Sequence, residues 1–501
     1  MVERPERRGV AVVGLALIGS CAGATVAGVL CEVLGLVRFV PVAVGTLAGI
    51  VIGVAFAGRL AARLPAELDG WFTRRRIVRW IWIVGAVLGV TNTARISVFA
   101  MDPSQAWASA FPPIPESAQH ACLAAYVRAG ELAALGHDDL WDPEPYASGH
   151  ASQVAGLGAH LGDPYEYPPP FALLPRAAVA ATDNYQLIRD VWFGLSAVGF
   201  LAAFVVLAIW VGGRGGATAL LLVPAVALST PFVFTLQWGQ AHALVIACAV
   251  IAMLQFARDR TASGAMLLAF ATATKLFPGL LLVYLAVRRQ WRAIGATLIA
   301  LAAFTALAAL VLGPGTLAAF ITEQLPRMAS GKAFAFTEGN PDNHSVYSLA
   351  FKLGALGVPG MGRPVAATFA WIWTLGAVAL AWRGSRVPPA PATDAVAPVT
   401  DTRAPASDTR AREAIVWLAI VCLGTLRSPY APNYTAIATL WLLSLGTSVR
   451  HWRGWLVAVA WVFLMGFPPL GSAALNAGLS LPSQLISIAV PIIAVWPRAR
   501  R

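Results

Sequence analysis

Apolar residues in this chain come in long runs broken by short polar segments, and the runs have no period-2 alternation. About 20 consecutive apolar residues cross a bilayer as a helix. Runs of that kind are predicted at roughly 9–31, 37–57, 78–99, 191–211, 217–236, 241–257, 293–313, 364–382, 413–426, 435–448, 455–470 and 482–496. The opening stretch "MVERPERRGVAVVGLALIGSC" imitates a secretory signal, with "LIGSC" open to a lipoprotein reading. Its apolar run continues past Cys21 to about Leu30, which suits a span better than a signal. The expected fold class is an all-α polytopic membrane protein of about 12 transmembrane helices plus one re-entrant helical hairpin.

The hairpin is expected at 264–287, around "ATATKLFPGLLL" (271–282). Lys275 lies near the middle of this apolar run, where a lysine costs roughly 2.5–3.5 kcal/mol on insertion scales. Sidedness decides how the run is read. Arg4, Arg7 and Arg8 place the first tail in the cytoplasm, and Arg59, Arg63, Arg74, Arg75 and Arg76 bring the 58–77 loop back there. Counting on puts 100–190 outside and 257–263 inside. If 264–287 crossed, "RRQWR" (288–292), the 383–412 segment and the tail "RARR" would all lie outside. A hairpin that enters and returns keeps them inside, each arm being about 11 residues or roughly 16 Å, half of a 30 Å core. Pro278 suits a break at the tip. Non-helical backbone at that depth needs protein or a water-filled cavity to receive it, so Lys275 points to a cavity. The alternative is a lysine that satisfies carbonyl groups at the break.

Composition agrees with a membrane protein: 58% of residues are hydrophobic and 12% charged, with a mean hydropathy of +0.69. The net charge of +12 comes from short clusters between apolar runs, a pattern of cytoplasmic loops and not of nucleic-acid binding. The five cysteines are scattered without CxxC spacing, so neither a disulfide framework nor a metal site is indicated. The organisation expected is a two-helix hairpin with a basic loop (1–77), a core with outer loops 100–190 and 314–363 (78–382), a Pro/Ala/Thr-rich cytoplasmic linker (383–412) and further spans (413–501).

Polar chemistry gathers at the outer ends of the spans. Asp102, in "VFAMDPSQAW" (98–107), stands just beyond a span, where a lipid-borne and a soluble substrate can meet. It is a candidate base, with an Asp-Pro turn as the structural alternative. Glu116, His120, Tyr126 and Glu131 lie on or beside a helix expected over 115–136, and each also has a structural reading. "DDLWDPEPY" (138–146) and "DPYEYPPPFALLP" (163–175), with Tyr167, mix aromatics with Asp and Pro, which suits a sugar-binding or interfacial surface. "TLQWGQAH" (235–242), with Gln237 and Gln240, "NPDNHSVYSL" (340–349), with Asn343 and His344, and "TLRSPYAPNY" (425–434), with Arg427, complete one outward-facing polar set.

The order of "YEYPPP", "QWGQ", "TKLFPGLLLVYLAVRRQWRA", "NHSVYSL" and "RSPYAPNY" behind a long outer loop resembles glycosyltransferase family 87 over about 78–450. That family is a branch of the C-type superfamily of polyprenyl-phosphate-dependent enzymes, which includes bacterial mannosyltransferases and arabinofuranosyltransferases of the cell envelope. The resemblance implies inverting transfer, on the outer face of a bacterial cytoplasmic membrane, from a polyprenyl-phosphate sugar to a glycan or glycolipid acceptor. It also implies one acidic base in the first outer loop. Here the chain departs from the pattern, because "HACLAAY" puts His120 and Cys122 where the family carries an Asp. Asp102, with Glu116 as the alternative, is left as the base.

Transfer needs a base and stabilisation of the departing phosphate. Lys275, Arg427 and His344 are the candidate phosphate ligands; His120, Tyr126, Tyr167, Gln237, Gln240 and Asn343 are candidate substrate contacts. No cofactor is expected, and a divalent metal stays open. The competing readings are a lipid or polyol transporter or flippase, which would favour inverted repeats and midplane sites, and a non-catalytic envelope component.

Overall fold

A computed structural model describes residues 5–71, 76–109, 121–338, 340, 342–386, 406–449, 454–464 and 473–496. The chain is all-α: the described residues form helices and no strand, the one β-bridge being an isolated pairing of Ala155 with Asn184. Six helices among them are long and apolar enough to cross a membrane: Pro5–Leu34, Arg76–Met101, Tyr185–Val211, Trp291–Leu312, Arg363–Ser385 and Leu475–Val495. A seventh span arises if Gly213–Leu228 and Thr230–Gln237, bent by 59° at Ser229, count as one. The protein is therefore a multi-pass membrane protein; the described residues hold six or seven full-length spans, and the twelve expected from apolar runs are not confirmed.

The difference has a physical origin. Several runs that hydropathy counts as spans are cut short by turn chemistry. Phe39–Ala55, His242–Phe256 and Thr261–Thr274 are apolar but only 17, 15 and 14 residues long. Ala406–Thr425 begins with the polar "ASDTRARE" and falls outside the hydropathy limit despite its 20 residues.

The first two helices form a tight antiparallel hairpin. Gly19 and Gly23 face Gly45 and Gly49, and a Cβ on any of the four would strike the backbone or the Cβ of the opposite helix. Small residues at this spacing let membrane helices approach closely enough to gain dispersion contacts along their length. The hairpin is built into the same apolar core as the rest: Leu17, Cys21 and Ala24 are buried with Phe99, Phe193 and Phe200. It is also pinned by charge. Arg38, at the hairpin's turn, donates from Nη1 to Asp190 Oδ2 at 2.9 Å and to the Met101 carbonyl at 2.7 Å, and it pairs with Glu32.

The segment around Lys275 is a sharp break. Thr261–Thr274 stops at Lys275, whose backbone is extended (φ −140°, ψ 128°). A 3-10 turn, Phe277–Leu280, leads into the short helix Leu281–Val287. Pro278 has no N–H to continue the first helix and is well suited to the start of the next. The turn folds against the end of the first helix: a Cβ on Gly279 would lie 3.2 Å from the Thr272 methyl. Beyond the break, Arg288 pairs with Glu413 at 3.3 Å, tying this arm to the helix Ala406–Thr425.

Candidate active site

Lys275 ends at a cavity of about 750 Å³. Seven separate chain segments build its wall: the helix Ala121–Ala134, the turn 163–168, the 238–242 turn, the break at 274–283, the stretch 325–334, the helix Arg363–Ser385 and the 424–435 loop. Lys275 Nζ is held over two aromatic faces, 5.0 Å from the ring centre of Tyr167 and 6.0 Å from that of Tyr434. Ring faces are electron-rich and stabilise a cation where a counter-ion would neutralise it. No salt bridge to Lys275 occurs among the described residues. The ammonium thus keeps its charge available to a ligand.

The tyrosine that faces Lys275 is itself fixed by Gln240. Gly239 takes a left-handed backbone (φ 61°) that turns the chain between Thr230–Gln237 and His242–Phe256, and Trp192 Nε1 donates to its carbonyl at 2.7 Å. This turn presents Gln240 to the cavity. Its Oε1 accepts from Tyr126 at 2.7 Å and from Tyr167 at 2.8 Å, which fills both lone pairs. Its Nε2 donates to the Tyr434 hydroxyl at 2.8 Å. Tyr434 keeps its own proton to donate. One buried amide therefore sets the rotamers of three tyrosines around the ammonium.

Arg427 lies on the same wall, its guanidinium 5.3 Å from the Trp371 ring centre and its Nε donating to Thr374 Oγ1. His242 is 1% exposed and lines the cavity beside Phe277. Two carboxylates, Asp163 and Glu166, complete the charged wall among the described residues. Burial pushes the Glu166 carboxyl up to about 8, against the opposing pull of Arg327 and a hydrogen bond from Gln324. The remaining wall is apolar. Leu276 and Val378 belong to it and are 52% and 43% exposed, so its apolar wall reaches the protein's surface.

Of the residues singled out from sequence, Tyr126, Tyr167, Gln240, Lys275 and Arg427 converge on this cavity. Others lie elsewhere. Asp102 is buried at the end of Arg76–Met101, where its Oδ1 accepts from Ser104 Oγ at 2.5 Å and its Oδ2 from Gln105 at 3.2 Å. Gln237 is buried and donates to Ser109 at 2.8 Å. Asn343 donates to the Pro429 carbonyl at 2.9 Å and accepts from Ala431 N–H at 3.0 Å, so it clamps the loop that carries Tyr430 and Tyr434 to the wall. His344 is buried beside it, its N–H donating to the Ala431 carbonyl at 2.7 Å. Glu116 and His120 lie outside the described residues. Asp163, Glu166 and His242 had a signal in sequence, since each sits inside a polar cluster quoted above. Nothing in the local pattern separated them from neighbours that turn away.

The sequence model of glycosyltransferase family 87 matches residues 165–402. That region is a glycosyltransferase family 87 sequence. The match covers just under half of the chain and takes in Glu166, Tyr167, Gln240, His242, Lys275 and Thr374 of the cavity wall. It bears out the resemblance drawn from the motif order and marks the protein as a membrane glycosyltransferase. The search of curated proteins and the search of solved structures returned no match.

Proposed function

We propose that this glycosyltransferase moves a sugar from a polyprenyl-phosphate donor to an envelope glycan or glycolipid on the outer face of a bacterial cytoplasmic membrane, with inversion. The observation that carries the reading is the junction of a cation site with an apolar wall that reaches the surface. Lys275 and Arg427 share the wall with Leu276, Leu280, Val283 and Val378. A lipid-phosphate donor needs both surfaces at once: charge for the phosphate, and an apolar groove for a tail that never leaves the bilayer.

The chemistry follows from the leaving group. As the bond from C1 to the phosphate oxygen breaks, the phosphate gains about one negative charge. A fixed ammonium with no carboxylate partner among the described residues stabilises that charge without having to release another ion first. The tyrosines pinned by Gln240 supply neutral donors and ring faces for a sugar. A nucleotide donor fits less well, because the apolar wall gives a hydrophilic nucleotide nothing to bind. Divalent metal is left out of this account, the two cations being enough for a monophosphate. The test is to incubate the protein in bilayers with labelled polyprenyl-phosphate mannose or arabinofuranose and a membrane glycolipid extract, then to identify the product and its anomeric configuration. A product with retained configuration, or none from either lipid donor, refutes the proposal.

A further inference from the structure

We propose that Gln484, in the helix Ala473–Val495, is a positioning residue for the transfer: it holds in place the loop that carries Arg427, Tyr430 and Tyr434 to the cavity. The proposal rests on the transferase reading above. It starts from the backbone of that loop. Residues 426–432 are not helical, so their carbonyls and amides need partners from elsewhere in the protein. The segment 343–346 supplies them. Besides the two bonds from Asn343 and the His344 amide described above, Ser345 Oγ donates to the Pro429 carbonyl at 2.9 Å, and the Val346 amide donates to the Leu426 carbonyl at 3.1 Å. Four consecutive residues thus grip the loop at the Leu426, Pro429 and Ala431 carbonyls and at the Ala431 amide. Arg427 lies between two of those points.

The grip is itself set by Ser348 and Gln484. Ser348 opens the short helix Ser348–Ala355. Its amide donates to Ser345 Oγ at 3.0 Å, and its hydroxyl donates to the Asn343 carbonyl at 2.6 Å and the Ser345 carbonyl at 2.9 Å. Gln484 reaches this knot from another part of the chain. Its Nε2 donates to the Ser345 carbonyl at 2.5 Å and to Ser348 Oγ at 3.2 Å, which uses both amide hydrogens.

Gln484 is fully buried near the middle of the apolar span Leu475–Val495. An amide at that depth is costly unless it is bonded, and apolar contact alone would hold the helix against its neighbours. What the amide adds is a fixed height and rotation for residues 343–346. From there the bonds run to the site: Ser345 to Pro429, then along the loop to Tyr434, whose hydroxyl accepts from Gln240 and whose ring faces Lys275. Gln484 does not line the cavity and acts through these residues. It also lies beyond residues 165–402 of the family match. Its neighbour Ser483 gives a contrast on the same helix. Ser483 Oγ donates to the Phe463 carbonyl, which joins the span to Gly454–Leu464 and not to the active-site loop.

The experiment uses the full chain in lipid nanodiscs and reads two quantities. One is transfer from short-chain polyprenyl-phosphate mannose and arabinofuranose to a membrane glycolipid extract. The other is hydrogen–deuterium exchange across 425–434, which needs no donor. Gln484→Met keeps the side-chain length and removes the donors. It is expected to lower kcat at least about tenfold, with donor KM within about threefold of the parent, because a displacement near 1 Å in a positioning element costs up to about 10²-fold. Exchange across 425–434 is expected to be faster than in the parent. Ser483→Ala is expected to lower the melting temperature and to leave kcat and that exchange at parental values. Adding Gln484→Met to Asn343→Ala is expected to cost less than about threefold more than Asn343→Ala alone, since both act through one loop. A smaller loss of kcat in folded Gln484→Met overturns the proposal, as does unchanged exchange, an equal loss in Ser483→Ala, or additive losses in the double variant. If Gln484→Met does not fold, Gln484→Asn carries the same test, its shorter amide falling short of the Ser345 carbonyl. A parent that transfers from neither donor contradicts the transferase reading, and the exchange measurement then still decides whether Gln484 holds the loop.

Discussion

Glu131 and Glu166 belong to the same long loop region, yet their carboxylates meet opposite surroundings. Glu131 accepts from Arg128 Nη1 at 2.7 Å, from Ser152 Oγ at 2.9 Å and from the Gln153 N–H. Three donors, one of them a guanidinium, satisfy it fully and tie the helix Ala121–Ala134 to the loop beyond it. Glu166 lines a cavity and accepts from Gln324, and burial raises its proton affinity. The residue type is the same in both places. What differs is how many lone pairs the fold itself consumes. A satisfied carboxylate is scaffold, whereas one that faces a cavity with lone pairs to spare can act on a ligand.

The same contrast separates the cations. Arg38 and Arg288 are paired with Asp190 and Glu413 and join elements together, while Lys275 meets ring faces and, among the described residues, no salt-bridge partner. The largest expected effect follows from that difference. Lys275→Ala should lower kcat/KM for the lipid donor by about 10²–10³-fold, the usual loss when one preorganised donor to a developing anion is removed, with the melting temperature of the detergent-solubilised protein unchanged or raised. An equal loss from Arg288→Ala at constant stability would erase the distinction between site and scaffold.

Glu131→Gln should act on folding instead of transfer. It leaves the Arg128 guanidinium short of its buried partner, and the cost is about 1–3 kcal/mol. A thermal melt should record the loss, while the fraction that remains folded turns over at the parental rate.

The pH dependence of stability sharpens the comparison further. The Glu166 carboxyl titrates near 8 in the fold, against an ordinary value of 4.5. Between those values the folded chain holds a proton that the unfolded chain has released. Glu166 therefore weakens the fold progressively as pH rises through this window, and the penalty is complete above about 8. Glu166→Gln should melt higher than the parent at pH 8.5 and close to it below pH 4.5. An unchanged difference across that range would show that Glu166 is already ionised.

The smallest effect is expected at Asp102. Its carboxylate holds the turn after Arg76–Met101 through Ser104 and Gln105 and does not line the cavity. Asp102→Asn keeps an acceptor for those donors and should reduce turnover by less than about threefold, since a turn of this kind contributes to local structure and not to the reacting atoms. A collapse of turnover at constant stability would return the base to this position.

How much of this was legible in the sequence depends on the physics that carries each feature. Hydropathy marked the apolar helices, because burial in lipid or protein needs the same side chains. It does not fix the number of full spans, because it cannot sense where a 14-residue helix stops, as at Thr274, or where a chain bends, as at Ser229. Lys275 was legible as a cavity residue because an isolated cation in an apolar run has few alternatives. Gln240 and Tyr167 were found as members of polar clusters. Asn343 and Gln237 were found the same way; Asn343 bonds to the backbone at Pro429 and Ala431, and Gln237 to the Ser109 hydroxyl. A polar cluster at a helix end looks identical in sequence whether its atoms bond to carbonyls or face a ligand. Asp163, Glu166 and His242 were passed over for the same reason, since only the folded chain shows which side chains meet across seven segments.

The central claim, a lipid-phosphate donor bound between Lys275 and an apolar wall, is tested most directly by donor competition with purified protein. The protein is stripped of endogenous lipid carrier and offered polyprenyl-phosphate mannose, polyprenyl-phosphate arabinofuranose or GDP-mannose, each labelled in the sugar. The account predicts transfer from a polyprenyl-phosphate donor and none from the nucleotide sugar, with transfer from the lipid donor lost in Lys275→Ala. Efficient transfer from GDP-mannose in the carrier-free preparation would contradict it.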